Sequence, residues 1–133
     1  MANRFFPKGK EKILNGDIDW NTDSIRARLV ISTYTYDAAH EFLSSVTKVT
    51  GTTDQPLPTP TITTGVFDAD AITFTAVAAG ETASAVVLYK FVTNDADSPV
   101  LALIDTITGF PKATDGGNIT VQWDSGAYKI FSL

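Results

Sequence analysis

Three hydrophobic segments follow one another between residues 71 and 105 and form the strongest pattern in the sequence. Residues 71–77 alternate between apolar and polar side chains, as in a strand with one buried face. Residues 84–92 and 99–105 are almost continuously apolar, which requires cover on both faces of a strand. All three segments are short and rich in β-branched and aromatic residues, so they favour strands over helices. We expect four of their side chains in the core: Phe74, Val87, Leu88 and Leu103.

A hairpin is predicted nearer the N-terminus, from residues 17–20 and 25–31. The second of these strands alternates, so that its apolar side chains face inward while Arg26 and Arg28 face outward. Two outward arginines can clamp a phosphate or contact a partner protein. More often, such a pair forms the solvated face of a strand or meets a neighbour's carboxylates.

The remaining periodic segments predict a second hairpin and two short helices. Residues 119–123 and 127–131 read as a C-terminal hairpin. Residues 8–14 and 37–46 have helical spacing, and Asp37 is a suitable N-cap for the second helix. The sequence therefore predicts a mainly β fold, an antiparallel β-sandwich or barrel of the Ig-like or jelly-roll kind with one or two short helices.

Residues 1–10 are predicted to form an N-terminal arm. Arg4, Lys8 and Lys10 carry positive charge there. Phe5 and Phe6 form an aromatic pair with the look of an exposed one. Such a segment either lies on a neighbouring subunit or folds back so that the aromatic rings join the chain's own core. The first alternative predicts that a chain without residues 1–7 still folds but enters particles less well.

A long Thr/Pro-rich loop is predicted at residues 47–65. Pro56, Pro58 and Pro60 alternate along it, which forbids a helix and favours an extended course. Long loops in small domains are usually functional or disordered. The segment is therefore either an arm that lies on a neighbour or an edge connection stiffened by proline.

No residue in the sequence has the surroundings of a catalytic group. His40 is the single histidine and has no recognisable nucleophile or metal-ligand partner, so a structural role is expected. The acidic pairs lack the further ligands of a calcium loop and read as turns: Asp68 with Asp70, and Asp95 with Asp97. We expect no enzyme activity, no cofactor and no metal.

Length and charge narrow the partner class. A chain of 133 residues, 44% hydrophobic and 19% charged, suits one ordered domain over residues 1–133. A net charge of −5 disfavours nucleic acid as a partner. The sequence contains neither an apolar run long enough to cross a membrane nor the apolar core of a signal peptide, so we expect assembly in the cytoplasm without membrane contact.

Five segments together resemble a family of small structural proteins encoded by tailed bacteriophages and prophages. They are residues 12–20, 25–30, 36–43, 65–70 and 121–131. The resemblance lies in strand and turn patterns and carries no catalytic position. It implies a component of the virion with the major capsid protein or other virion proteins as partners, and we expect a homo-oligomer.

Within that class, a capsid decoration or cement protein that bridges capsid subunits is the favoured function. A tail or neck component is one alternative, and an Ig-like module that binds a host-surface glycan is another. The residues expected to contact partners are Arg4, Phe5, Phe6, Lys8, Arg26, Arg28, Pro56, Pro58 and Pro60.

Overall fold

The computed structural model describes residues 3–127 and 129–132. Within them lie eleven strands, one α-helix and one 3₁₀ turn. The helix is α1, Pro7–Leu14, and the 3₁₀ turn is Leu43–Ser45. The strands are β1 Arg4–Phe5, β2 Ile25–Ile31, β3 Gln55–Pro56, β4 Thr61–Thr63, β5 Val66–Asp68, β6 Ile72–Phe74, β7 Thr82–Lys90, β8 Val100–Ile104, β9 Lys112–Ala113, β10 Ile119–Val121 and β11 Phe131–Ser132.

The strands form one large antiparallel sheet and two small ones. The large sheet has the order β1-β8-β7-β2-β3, with β9 also paired to β7. The small sheets are β10-β6 and β11-β5-β4. The predicted mainly β, antiparallel, sandwich-like fold is confirmed, and so are the central strands β7 and β8.

Both faces of the large sheet are buried, as the continuous apolar runs predicted. On one face the main core joins the large sheet to the two small sheets, through Leu29, Leu88, Phe67, Phe74 and Val121 among others. On the other face a second core is built around Phe6, Val30, Leu43, Val87 and Tyr89. All four predicted core residues are buried: Phe74, Val87, Leu88 and Leu103.

The predicted N-terminal hairpin is wrong, although β2 is confirmed at its predicted bounds. Residues 17–20 form no strand, and carboxylates bond the backbone around Asp19 locally: the Asp19 N–H donates to Asp23 Oδ2 at 2.7 Å. The Asp19 carboxylate accepts hydrogen bonds from the N–H groups of Asn21 and Thr22. β2 pairs instead with β7 and β3.

The predicted helix over residues 37–46 is also wrong. Asp37 accepts the N–H of Ala39 in a tight turn rather than capping a helix. Long-range hydrogen bonds replace those of a helix in the rest of the segment. The Leu43 N–H donates to the Ser98 carbonyl, and Phe42 forms an isolated antiparallel β-bridge with Pro99. A single 3₁₀ turn is what remains of the helix.

The C-terminal segments do not pair with each other as predicted. β10 pairs with β6, and β11 pairs with β5, so each joins a different sheet. The local turn signal at residues 124–126 is present but is followed by long-range pairing. Residue 128, part of the predicted returning strand, lies outside the described residues.

The N-terminal segment is part of the fold and not a free arm. Phe6 is completely buried in the second core, and the Phe5 ring meets the Phe131 ring edge-on at 4.8 Å. The alternative in which the aromatic pair folds back is therefore the one found. Helix α1 follows as predicted, and Gly16, with a φ of 81°, takes the left-handed conformation just after it.

The 47–65 loop lies along the edge of the large sheet. β3 pairs with β2, and Val49 and Leu57 are buried in the main core. A tight turn at Thr64 and Gly65, both with positive φ, then connects β4 to β5. This course corresponds to the proline-stiffened edge connection.

Candidate functional surface

Four cations of β1 and α1 form what we call the N-terminal basic surface: Arg4, Lys8, Lys10 and Lys12. Glu11 is the one acidic residue in this part of the sequence, so residues 3–14 carry a net charge of +3. The whole chain carries −5, so the other residues carry −8. The N-terminal segment is therefore basic within an otherwise acidic chain.

The cations of this surface differ in how far they are neutralised. Lys8 pairs with Glu11 at 3.1 Å and Lys12 with Glu41 at 3.5 Å. Lys10 is exposed and has no salt bridge within the described residues. The Arg4 guanidinium lies over the Tyr36 ring, 4.7 Å from its centre, which orients it without cancelling its charge.

An apolar hollow of about 190 Å³ adjoins the basic surface. Phe5, Lys10, Ile13 and Leu14 line it. Leu14 is the most exposed large hydrophobic residue described, at 87%. A hydrophobic side chain this exposed at the end of a helix marks a candidate contact point for a partner.

Close packing holds α1 in place. A Cβ atom added to Gly9 would lie 2.7 Å from the Val100 carbonyl oxygen and 2.9 Å from the Leu101 Cα. Only glycine therefore lets the helix approach β8 so closely. The basic surface and the hollow are consequently preformed on a rigid element.

Arg28 is buried and does not face solvent, so its expected place on an outward strand face is wrong. Its guanidinium binds both oxygens of Asp54, Asp95 Oδ2 at 2.9 Å, and the Val46 carbonyl at 3.1 Å. Burial lowers the pKa of Arg28, but the hydrogen bonds and charges of Asp54 and Asp95 outweigh it and raise that pKa. Tyr89 donates to Asp54 as well, at 2.7 Å. Arg28 is thus bound within its own chain and ties four segments together.

Arg26 stays near the surface, and its guanidinium stacks on Phe91 at 3.8 Å. Pro56 lies opposite Arg26 in the β2–β3 pair. Pro56 and Pro58 are exposed, and Pro60 is half-buried. Pro56 on the edge strand β3 therefore lies beside Arg26 on β2, while Arg4 and Phe5 lie on β1 at the opposite edge and Lys8 follows on α1.

A concave depression of about 490 Å³ lies on the second face of the large sheet. Its floor is apolar, from Val30, Ala85 and Leu103, and Arg4, Tyr34 and Asp105 stand among the residues around it. Asp105 Oδ1 is buried and has no hydrogen-bond partner within the described residues. The Tyr34 hydroxyl and His40 Nδ1 are 2.7 Å apart, which gives His40 a structural contact.

Across the described residues, no group of three or more His, Asp or Glu side chains is arranged to hold a metal ion. No helix among them has the length and apolarity needed to cross a membrane. The acidic pairs lie in or beside turns, and Asn94 Oδ1 accepts the N–H of Asp97. Asp95 also serves as a partner of Arg28, which the turn pattern did not reveal.

Sequence reasoning missed Ile13, Leu14 and Asp54. Lys10, Ile13 and Leu14 have the i, i+3, i+4 spacing of one helix face, a signal that was available in the sequence. Asp54 carried no such signal in the sequence, because its role depends on the fold that brings it to Arg28.

Comparison of this chain with protein-family models, curated proteins and solved structures finds no match in any of the three.

Proposed function

We propose that this chain is a structural protein of a tailed-phage particle, namely a decoration or cement protein that bridges subunits of the major capsid protein. The observation that carries the proposal is the N-terminal basic surface on an acidic body, with the exposed Leu14 beside it. Charge of opposite sign to the rest of the molecule orients a subunit as it approaches an acidic shell. The sequence resemblance to phage structural proteins supports the same class.

Rigidity of the surface fits attachment to an existing shell. Phe6 anchors the segment in the second core, and Gly9 seats α1 directly on β8. A preformed surface loses little conformational entropy on docking, so more of its contact energy appears as affinity. The opposite edge of the large sheet carries Arg26 and Pro56, which leaves room for a second neighbour.

Copy number tests the proposal and separates its alternatives. Particles of the phage or prophage that encodes the chain would be purified and the chain quantified against the capsid protein with isotope-labelled peptides. A copy number comparable with that of the capsid subunits is expected. A handful of copies would indicate a tail or neck component, and absence from the particle would overturn the proposal.

Particle stability provides the second readout. Heads assembled without the chain are expected to lose their contents at a lower temperature than complete heads, because a cement protein adds contacts between subunits. Adding the purified chain back should restore the stability. If neither removing the chain nor adding it back changes the temperature at which heads lose their contents, the chain decorates the head without stabilising it.

A glycan-binding module is the second candidate, and the concave depression favours it. An aromatic ring, a carboxylate and a guanidinium around one concavity are groups that bind sugar rings and hydroxyls. Tyr36 cannot serve as a stacking platform there, because its ring already contacts Phe6 and Arg4. Glycan binding ranks second because the depression thereby loses one of its aromatic stacking surfaces. Saturable binding to a glycan array that Asp105→Ala abolishes would establish it.

A further inference from the structure

We infer that the hollow beside Leu14 is an anchor site that takes one apolar side chain from an acidic surface of the partner protein. The inference rests on the proposed function, because that function makes the partner a virion protein. It adds the position of the contact and the chemistry of the partner's surface.

The hollow has the size and lining for one side chain. At about 190 Å³ it exceeds the roughly 150 Å³ of an apolar cavity that holds benzene, so a branched or aromatic side chain fits. Phe5 and Ile13 form apolar walls, and the methylene stem of Lys10 adds a third. Phe5 in turn rests on Phe131, so the wall is backed by the main core.

The backbone at Leu14 is ordered although the side chain is exposed. The Asn15 N–H donates to the Glu11 carbonyl at 2.9 Å, and the Gly16 N–H donates to the Ile13 carbonyl at 3.1 Å. These bonds close the last turn of α1, so the backbone that carries Leu14, one of the residues lining the hollow, is ordered before a partner binds. An exposed apolar side chain on an ordered turn beside a hollow has the form of an interface anchor.

Charge decides what surrounds the partner's apolar side chain. Lys10 lines the hollow, is exposed and has no salt bridge within the described residues, whereas Lys8 and Lys12 are paired with Glu11 and Glu41. A carboxylate on the partner beside Lys10 would be attracted, and a basic residue there would be repelled. The partner surface is therefore acidic.

A second copy bound by two-fold symmetry does not meet this requirement. Such a pairing would bring the same patch of both copies together. Two hollows would then meet, each lined by a Lys10 that is unpaired within the described residues and neither with a carboxylate among its lining residues. We therefore assign the hollow to a different protein and treat self-association as an outcome that would contradict the assignment.

The test measures binding of purified variants to particles that lack the chain. Leu14→Glu places a negative charge and a shorter apolar surface at the rim, and Lys10→Glu reverses the free cation. Ile62→Glu is the matched control, because Ile62 is also an exposed hydrophobic residue, at 53%, but lies on β4 and does not line the hollow. Circular dichroism and thermal unfolding establish that all three variants fold.

Both N-terminal variants are expected to bind about tenfold more weakly or worse, since loss of an anchor residue typically costs that much. Ile62→Glu is expected to bind like the wild type. Binding of the wild type should weaken with added salt, which screens the Lys10 contact, and Lys10→Glu should lose this salt dependence.

The outcomes separate the two proposals. Failure of the wild type itself to bind overturns the proposed function, and the inference with it. Wild-type binding that Leu14→Glu leaves unchanged overturns the inference alone. Concentration-dependent self-association of the free chain, abolished by Leu14→Glu in sedimentation experiments, would show that a second copy occupies the hollow and would overturn the assignment of the partner.

Discussion

The Arg28 guanidinium binds the Asp54 carboxylate through two nitrogens, with Nε 3.2 Å from Oδ1 and Nη2 3.0 Å from Oδ2. Asp54 belongs to the long Thr/Pro-rich segment, and Arg28 belongs to a central strand. Nη2 also donates to Asp95, in the turn between β7 and β8. One buried side chain thereby holds two connections that are not themselves regular structure.

Removing the Asp54 carboxylate should destabilise the fold strongly. In Asp54→Ala, the buried Arg28 loses its two-nitrogen partner and Tyr89 loses its acceptor. Breaking a buried ion pair costs roughly 3–5 kcal/mol, and because Asp95 remains we expect about 3 kcal/mol. The free energy of unfolding in urea measures this change.

Asp97→Ala is the control for this change. Asp97 lies in the same turn as Asp95 and is exposed, and its described hydrogen bonds use its backbone N–H. Its replacement should leave the free energy of unfolding nearly unchanged. Equal effects of the two variants would mean that the Arg28 network contributes nothing particular to stability.

The sequence predicted the elements whose local pattern agrees with their final surroundings. β2, β7, β8 and α1 have consistent periodicity and were placed correctly. Residues 37–46 carry a helical pattern, but hydrogen bonds to Ser98 and Pro99 determine their course. Such long-range competition is invisible in local spacing.

The candidate surface was predictable only in part. The cations of residues 3–14 are evident from charge alone, whereas the burial of Phe6 and the exposure of Leu14 depend on how α1 lies on β8. Spacing identifies one helix face but does not say which face meets the sheet. The glycine that decides this, Gly9, has no distinguishing local pattern.

Gly9→Ala should destabilise the protein even though alanine favours helices. The added methyl would overlap the Val100 carbonyl at 2.7 Å, and backbone atoms cannot move aside cheaply. Overpacking costs about 1–3 kcal/mol, which exceeds the gain of about 1 kcal/mol from helix propensity. Thermal unfolding should therefore occur at a lower temperature than in the wild type.

Gly126→Ala provides the matched glycine control. Among the described residues, the atoms nearest to a methyl there belong to the Asp124 carboxylate, at the ordinary distance of 3.4 Å, and Gly126 is exposed. Its unfolding temperature should remain close to that of the wild type. A stabilised Gly9→Ala protein would show that α1 lies further from β8.

Phe6→Ala should cost about 3–5 kcal/mol, the usual range for deletion of a fully buried aromatic side chain. Phe91→Ala, at a position that is 37% exposed, should cost far less.

Removal of residues 1–7 would delete Phe6 together with β1. The expectation from the sequence that such a truncated chain still folds therefore does not agree with the structure, and circular dichroism of the truncated chain decides between the two.

Stability should fall as pH rises between 10 and 12, in part through Tyr34. Burial raises the pKa of Tyr34 from 10.0 to about 12, and the charge of Asp37 adds to the rise. In this window the unfolded chain has released the Tyr34 proton while the folded chain retains it. The unfolded state therefore binds fewer protons, and the free energy of unfolding decreases until pH exceeds the pKa of the folded state.

Tyr34→Phe isolates this contribution. Burial and the hydrogen bond to Asp54 raise the pKa of Tyr89 as well, so the wild-type slope has at least two sources. At neutral pH the variant should differ from the wild type by a constant offset, because it lacks the hydroxyl bonded to His40. Between pH 10 and 12 its free energy of unfolding should decline less steeply with pH than that of the wild type. Urea unfolding across the window, followed by tryptophan fluorescence, measures both slopes, and equal slopes would mean that Tyr34 ionises in the folded protein as readily as in the unfolded chain.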